Sequence, residues 1–157
     1  MALPCVLEHL VPDEFTLSDH EGKPTALTDF SGSHLLLYFY PKAFTPGCTT
    51  QACDLRDRHD LFLEAGWKVV GISPDPVTKL AKFHAKHDLP FPLLSDEDHA
   101  VAASYGAWGI KKNYGREYEG LIRSTFVIGP SGDVEHAKRN VKASGHGERM
   151  VRNIPVD

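Results

Sequence analysis

Apolar residues gather in short blocks separated by polar, glycine and proline punctuation, and the blocks differ in period. His34-Leu35-Leu36-Leu37-Tyr38-Phe39-Tyr40 is apolar without alternation and too short for a buried helix, so it predicts a strand covered on both faces and ended by Pro41. Trp67 to Ser73 predicts a second buried strand, Leu93-Leu94-Ser95 a short one, and Ser124 to Gly129 another. That last strand turns at Pro130-Ser131-Gly132-Asp133 and pairs back as a hairpin through Val134 to Ala137. Phe15-Thr16-Leu17 predicts a short strand before the turn Asp19 to Gly22. Between the strands the period changes. Cys48, Ala52, Leu55, Leu61, Phe62 and Ala65 include helical spacings, which predicts one helix from Pro46 to about Ala65 with Gly66 as its C-terminal cap. A second helix is expected from Asp75-Pro76 to about His87 and a third from Glu97 to Tyr105. Gly106 to Gly120 shows no clear period and is expected as a long loop, and a last helix over Gly145 to Arg152. Strands alternating with helices, then a hairpin, predict a three-layer α/β domain with a mixed sheet.

Composition narrows this picture. A chain of 157 residues with 41% hydrophobic content fits one domain, expected to span 1–157. Seventeen basic against twenty-one acidic residues give a net charge of −4, and no run of basic residues exceeds two, which argues against nucleic acid and anionic membrane as partners. No segment approaches the roughly 18 consecutive apolar residues of a membrane span. The first ten residues carry Glu8 and His9 where a signal peptide would be apolar, so a cytoplasmic location is expected. Three cysteines are too few for a secreted disulfide scaffold and read as reactive.

The chemistry concentrates in Pro41-Lys42-Ala43-Phe44-Thr45-Pro46-Gly47-Cys48, which leads from the buried strand into the first helix. Thr45 fits the N-cap and Pro46 the first helical position, where its missing N–H costs nothing, while Gly47 lets a ligand approach the backbone. Cys48 then falls in the first turn, where unpaired N–H groups and the helix dipole favour an anion and draw a thiol toward the nucleophilic thiolate. Cys53 follows five residues later. On a regular helix that spacing is about 7.5 Å of rise and roughly 140° of rotation, or about 8.7 Å between Cα atoms. A disulfide needs less than about 7 Å. The two thiols therefore stand apart when reduced and can bond only if a turn or two of helix unwinds. Such a pair suits a nucleophile that first meets an oxidant: a thiolate attacking a peroxide O–O bond gives a sulfenic acid, which condenses with a nearby thiol. The leaving oxygen needs donors, which an arginine, the Thr45 hydroxyl and the first-turn N–H groups would supply. Arg123, at the mouth of a strand directly after the long loop, is the favoured arginine.

Tyr40-Pro41-x-x-x-Thr45-x-x-Cys48 resembles the Pro-x-x-x-Thr-x-x-Cys signature of peroxiredoxins, and the Cys-x4-Cys continuation is similar to their bacterioferritin comigratory protein, or PrxQ, branch. The resemblance runs from about Val11 to Ile154 and includes Gly71 to Asp75, Pro92 to Asp96, Tyr105 to Gly109 and Arg123 to Ile128. It implies a thioredoxin-like fold, a central mixed sheet flanked by helices, and a thiol peroxidase acting on hydrogen peroxide and organic hydroperoxides. It further implies Cys48 as peroxidatic cysteine, Pro41 shielding it, Thr45 hydrogen-bonding thiolate and peroxide, Arg123 holding both, and Cys53 as resolving cysteine. Thioredoxin, or a glutaredoxin-like protein, would be the reductant, and no metal, haem or flavin is expected. Monomer and weak homodimer both stay open. The segment Leu10 to Phe15 departs from the pattern in lacking a Gly-Asp step, and no cysteine follows Cys53, so a distant C-terminal thiol cannot resolve the sulfenic acid.

Weaker signals were weighed beside this one. Gln51 fits either a polar support of the site or an exposed helix position. Cys5 has no partner at helical or hairpin spacing and reads as incidental. His84 and His87 could share a helix face as metal ligands, but Lys79, Lys82 and Lys86 describe a solvated one. Cys48, Cys53 and His59 lack an evident fourth zinc ligand. The segment Lys111 to Gly120 is expected either as a flap over substrate or as a plain connection. A peroxide-responsive redox sensor or holdase-type interaction protein using the same cysteine switch is the alternative function; a plain thiol–disulfide oxidoreductase is disfavoured because the spacing is not Cys-x-x-Cys.

Overall fold

The computed structural model describes residues 14–113 and 115–139; the expected last helix and Cys5 lie outside them. The chain runs β1 (Thr16–Asp19), β2 (Pro24–Ala26), a 3-10 turn (Leu27–Phe30), β3 (His34–Phe39), α1 (Pro46–Asp57), α2 (His59–Glu64), β4 (Trp67–Ser73), α3 (Val77–His87), β5 (Leu93–Ser95), α4 (Ala100–Ser104), β6 (Trp108–Asn113), β7 (Arg116–Leu121), β8 (Ser124–Ile128) and β9 (Val134–Arg139). Seven strands form one mixed sheet in the order β2-β1-β5-β4-β3-β8-β9, with β6 and β7 a separate pair. β3, β4 and β5 are parallel, and antiparallel strands extend the sheet on either side. A mixed sheet with flanking helices is what the alternation of blocks predicts.

β3 is apolar throughout because it serves two cores. Leu36 and Tyr38, with Tyr40 just beyond, point to one face, where they pack with Leu55, Phe62, Leu80 and Phe83 of α1, α2 and α3. Leu35, Leu37 and Phe39 point to the other, against Ala102 of α4, Tyr105 and Phe126. The period of two along a strand divides the run between the faces. Tyr38 lies opposite Gly71 of β4. A Cβ at Gly71 would stand 2.8 Å from the Tyr38 ring, so only glycine lets that ring lie across the neighbouring strand.

Three expectations are corrected. The helix expected over Pro46 to Ala65 is two helices, broken at Arg58 (φ −109°, ψ 9°). The apolar rows run on through the break, Cys48, Ala52 and Leu55 then His59 and Phe62, so the spacing gave no sign of it. Gly66, at φ +80°, ends the second helix as expected. The third helix is shorter than Glu97 to Tyr105 and spans Ala100–Ser104. The expected loop Gly106 to Gly120 is the β6–β7 hairpin, with Gly115 at φ +77° in its turn. Leu121 and Trp108 at its base reach the core, but the rest of the ribbon carries charged residues, with Ile110 63% exposed, so no period runs along it. Its base is tied in by the Ile122 N–H donating to the Ala107 carbonyl at 2.7 Å. Strand β2 was also missed, being three residues long and opened by Pro24.

The strand ends are locked where the site begins. Asp75, after β4, is buried, and its Oδ2 accepts the Ala43 N–H at 2.7 Å and the Ser73 hydroxyl at 2.9 Å, while Lys79 Nζ lies 3.4 Å from Oδ1. One carboxylate thus ties the segment between β3 and α1 to the segment between β4 and α3. Asp75→Ala leaves the Ala43 N–H buried without that acceptor and is expected to cost about 1–3 kcal/mol in chemical denaturation, with Asp75→Asn milder; equal stability of the alanine variant would refute the clamp.

Burial also sets an acid limit. It lowers the His59, His84 and His136 imidazoles below their ordinary value of 6.5. Below that value the unfolded chain binds protons that the folded chain binds less readily, so stability falls as pH drops. The melting temperature is expected to decline between about pH 7 and 5.5, and the decline to be shallower in His59→Gln.

Candidate active site

Between β3 and α1 the backbone makes a tight entry. Phe44 sits at φ +68°, a region a bulky residue adopts only when its surroundings impose it, and its ring packs on Phe83 at 5.1 Å. Thr45 occupies the N-cap with extended geometry (φ −80°, ψ 151°), and its carbonyl accepts the Thr49 N–H at 2.9 Å. The Thr45 hydroxyl does not cap the helix. It donates to the Lys42 carbonyl at 2.7 Å and so braces the loop. Pro46 follows at the first helical position, as expected. Pro41 is half-buried at the mouth of β3.

Cys48 lies in the first turn of α1 and is 1% exposed, on the inner face with Gln51, Ala52 and Leu55. Arg123 reaches it from the opposite end of the chain: Nη2 donates to Cys48 Sγ at 3.2 Å, and Nη1 donates to Gln51 Oε1. The β3–β8 pairing explains the meeting. Phe39 at the end of β3 is in register with Ser124 at the start of β8, so the residue before Ser124 stands beside the loop that enters α1. Gln51 is fully buried, which settles its two expected positions in favour of the inner one, and its amide oxygen fixes one arm of the guanidinium fork while the other faces sulfur. Stacked beneath are the Tyr38 and Tyr40 rings, 5.4 Å apart; burial pushes both phenols up, so both stay neutral.

A second cation stands nearby. Burial and the Arg123 charge lower the Lys111 ammonium while Cys48 raises it, so Lys111 of β6 shares the field of the site. Sequence pattern placed Lys111 at the start of a loop expected either as a flap or as a plain connection and gave its ammonium no role; the hairpin brings it in. Asp75 was legible as a helix start and as part of a motif, but not as the clamp it forms with Ala43.

Cys48 and Cys53 are free thiols on one helix, the first buried and the second half-buried. Cys53 meets His87 of α3, with Sγ 3.8 Å from Nδ1. The pair His84 and His87 does not act as one face: His84 stacks on His20 at 3.6 Å, and His87 faces the cysteine. His59 packs its ring toward Phe91 at 5.9 Å. Among the described residues no three His, Cys, Asp or Glu side chains gather as a metal group, and no helix is long and apolar enough to cross a membrane.

A buried thiol at a helix start, with a guanidinium donating to its sulfur, can hold negative charge on that sulfur and offers further N–H groups to an oxygen brought against it. Known proteins share the whole frame. The model of the AhpC/TSA family matches residues 8–137. Peroxiredoxin Bcp of Bacillus subtilis (strain 168) is 47% identical over 91% of this chain and 90% of its own length. Peroxiredoxin Bcp of Escherichia coli (strain K12) is 48% identical over 90% of each. A structure of the Xanthomonas campestris bacterioferritin comigratory protein, solved as a trapped intermediate/ligand complex and connected with alkyl peroxide reduction, superposes with a TM-score of 0.86 at 36% identity, covering 92% of this chain and 96% of that one. Fold, motif and relatives agree: the chain belongs to the AhpC/TSA family, among the peroxiredoxins of the bacterioferritin comigratory protein and PrxQ branch.

Proposed function

We propose that this peroxiredoxin reduces hydrogen peroxide and organic hydroperoxides, alkyl peroxides included, through Cys48 and Cys53 and is recycled by thioredoxin or a glutaredoxin-like protein in the cytoplasm. The observation that carries the reading is the Arg123 guanidinium held between Gln51 and the buried Cys48 sulfur. The Cys48 thiolate attacks one peroxide oxygen, the O–O bond breaks, and the departing oxygen takes a proton and leaves as water or alcohol. Arg123 donates to the sulfur before attack and to oxygen as charge moves onto it, which is where a fixed donor lowers the barrier. Pro41 limits water at the thiol. The Thr45 hydroxyl, to serve the peroxide, turns from the Lys42 carbonyl toward the incoming oxygen. Cys53 then condenses with the Cys48 sulfenic acid, releasing water, after the first turns of α1 unwind; an external dithiol returns both sulfurs to thiols.

Peroxide turnover with thioredoxin, thioredoxin reductase and NADPH is expected in wild type, with a Cys48–Cys53 bond seen by mass spectrometry. Cys48→Ser should reduce turnover to background and Cys53→Ser should hold a sulfenic acid at Cys48. One oxidation per chain with no recycling would turn the reading to a redox sensor, and no oxidation at Cys48 would sink both. Arg123→Lys keeps the charge but not the fork that spans Gln51 and sulfur; its kcat/KM for peroxide is expected to fall roughly tenfold to a hundredfold with folding intact. An unchanged kcat/KM would remove Arg123 from the chemistry.

A further inference from the structure

The environment of Cys53 differs from that of Cys48. Its half-buried sulfur faces Nδ1 of His87, at the last position of α3, 3.8 Å away and 34 residues along the chain. That imidazole is held on several sides. Phe83 packs edge-on against it at 5.1 Å and 70°, Phe44 lies at 6.5 Å, and Arg56 Nη1 donates to the His87 carbonyl at 2.8 Å. The groups that face it are Cys53 and Arg56 from α1, the latter paired with Asp57, and Lys86 from its own helix, with Asp88 directly after it in the chain. Neither cation can take a proton from a thiol.

Burial, Lys86 and Arg56 lower the His87 imidazole below its ordinary 6.5, so at neutral pH the ring is uncharged and carries one nitrogen lone pair. A thiol is a poor nucleophile until its proton leaves. A neutral imidazole within reach of the sulfur, its ring held by Phe83 and Phe44, can take the proton that activates such a thiol.

We propose that His87 is the proton acceptor for Cys53 in the step that resolves the Cys48 sulfenic acid. The inference rests on the reading of Cys53 as the resolving thiol. The Cys53 proton passes to Nδ1 and the sulfur electron pair attacks the Cys48 sulfur. The S–S bond forms as the S–O bond breaks, and hydroxide leaves and takes a proton to become water. Cys53 is oxidised and the sulfenic sulfur reduced. The Arg56 contact with the His87 carbonyl lies one turn beyond Cys53 and pins that end of α1, so the movement that joins the sulfurs falls to the Cys48 end and leaves Cys53 against its base.

Two measurements on the full chain test this. In a Cys48→Ser background, iodoacetamide alkylation of Cys53 at pH 7, followed by peptide mass spectrometry, is expected to slow about fivefold or more when His87→Asn is added, because the amide keeps a polar neighbour but accepts no proton. In single turnover with stoichiometric hydrogen peroxide, His87→Asn should oxidise Cys48 at the wild-type rate and form the disulfide about tenfold more slowly. The loss should shrink as pH rises, and more Cys48 should reach sulfinic acid under excess peroxide. His87→Gln, with the melting temperature of each variant, separates loss of the base from loss of packing. Unchanged alkylation and unchanged disulfide formation would overturn the proposal. Should wild type form no Cys48–Cys53 bond at all, the resolving reading fails by itself, while alkylation still decides whether His87 activates Cys53.

Discussion

The antiparallel register between β3 and β8 is the constraint on which the site depends. Pairing Phe39 with Ser124 places Arg123 at the point where the chain leaves β3 for α1, so a guanidinium and a thiol 75 residues apart come within 3.2 Å. The register is pinned from both faces. Leu37 and Phe39 pack with Phe126 on one side and Leu36 packs with Val127 on the other, so a one-residue slip would exchange the inner sets. The buried stretch Leu35 to Phe39 of β3 has no ionised side chain, and it acts on the sulfur only by fixing what stands next to it.

Two further locks make that placement rigid. Asp75 ties the entry loop to the end of β4, and Gln51 holds one arm of the Arg123 fork inside α1. Both are buried polar groups whose bonds are made within the protein, the condition under which such groups specify one arrangement. The strained Phe44 is held in the same way, its ring seated on Phe83. Loop, helix start and arginine are thus set before any substrate arrives, which is the arrangement that lets electrostatic stabilisation act without reorganisation.

The two cysteines share a helix yet have different partners. Cys48 is buried against a guanidinium, the setting the proposed attack on peroxide requires; Cys53 is half-buried against an imidazole, the setting the proposed later proton transfer requires. Five residues of α1 separate two electrostatic environments because its inner face meets β8 and its flank meets α3.

The strands β3, β4 and β8 were legible because strands buried on both sides show as continuous apolar runs, and the start of α1 was legible because Thr45, Pro46 and Gly47 are local signals. Cys48, Cys53 and the family motif follow from spacing alone. The break at Arg58 and the β6–β7 hairpin were not legible, since the apolar rows cross the first without interruption and only the base of the second meets the core. Local chemistry therefore determined which residues are the candidate nucleophiles and which strand is central. Tertiary structure decided that Gln51 turns inward, that the Thr45 hydroxyl braces Lys42, that Lys111 shares the field of the site, and that His87 meets Cys53. Each of those depends on contacts between segments far apart in the chain, and no period along the sequence encodes them.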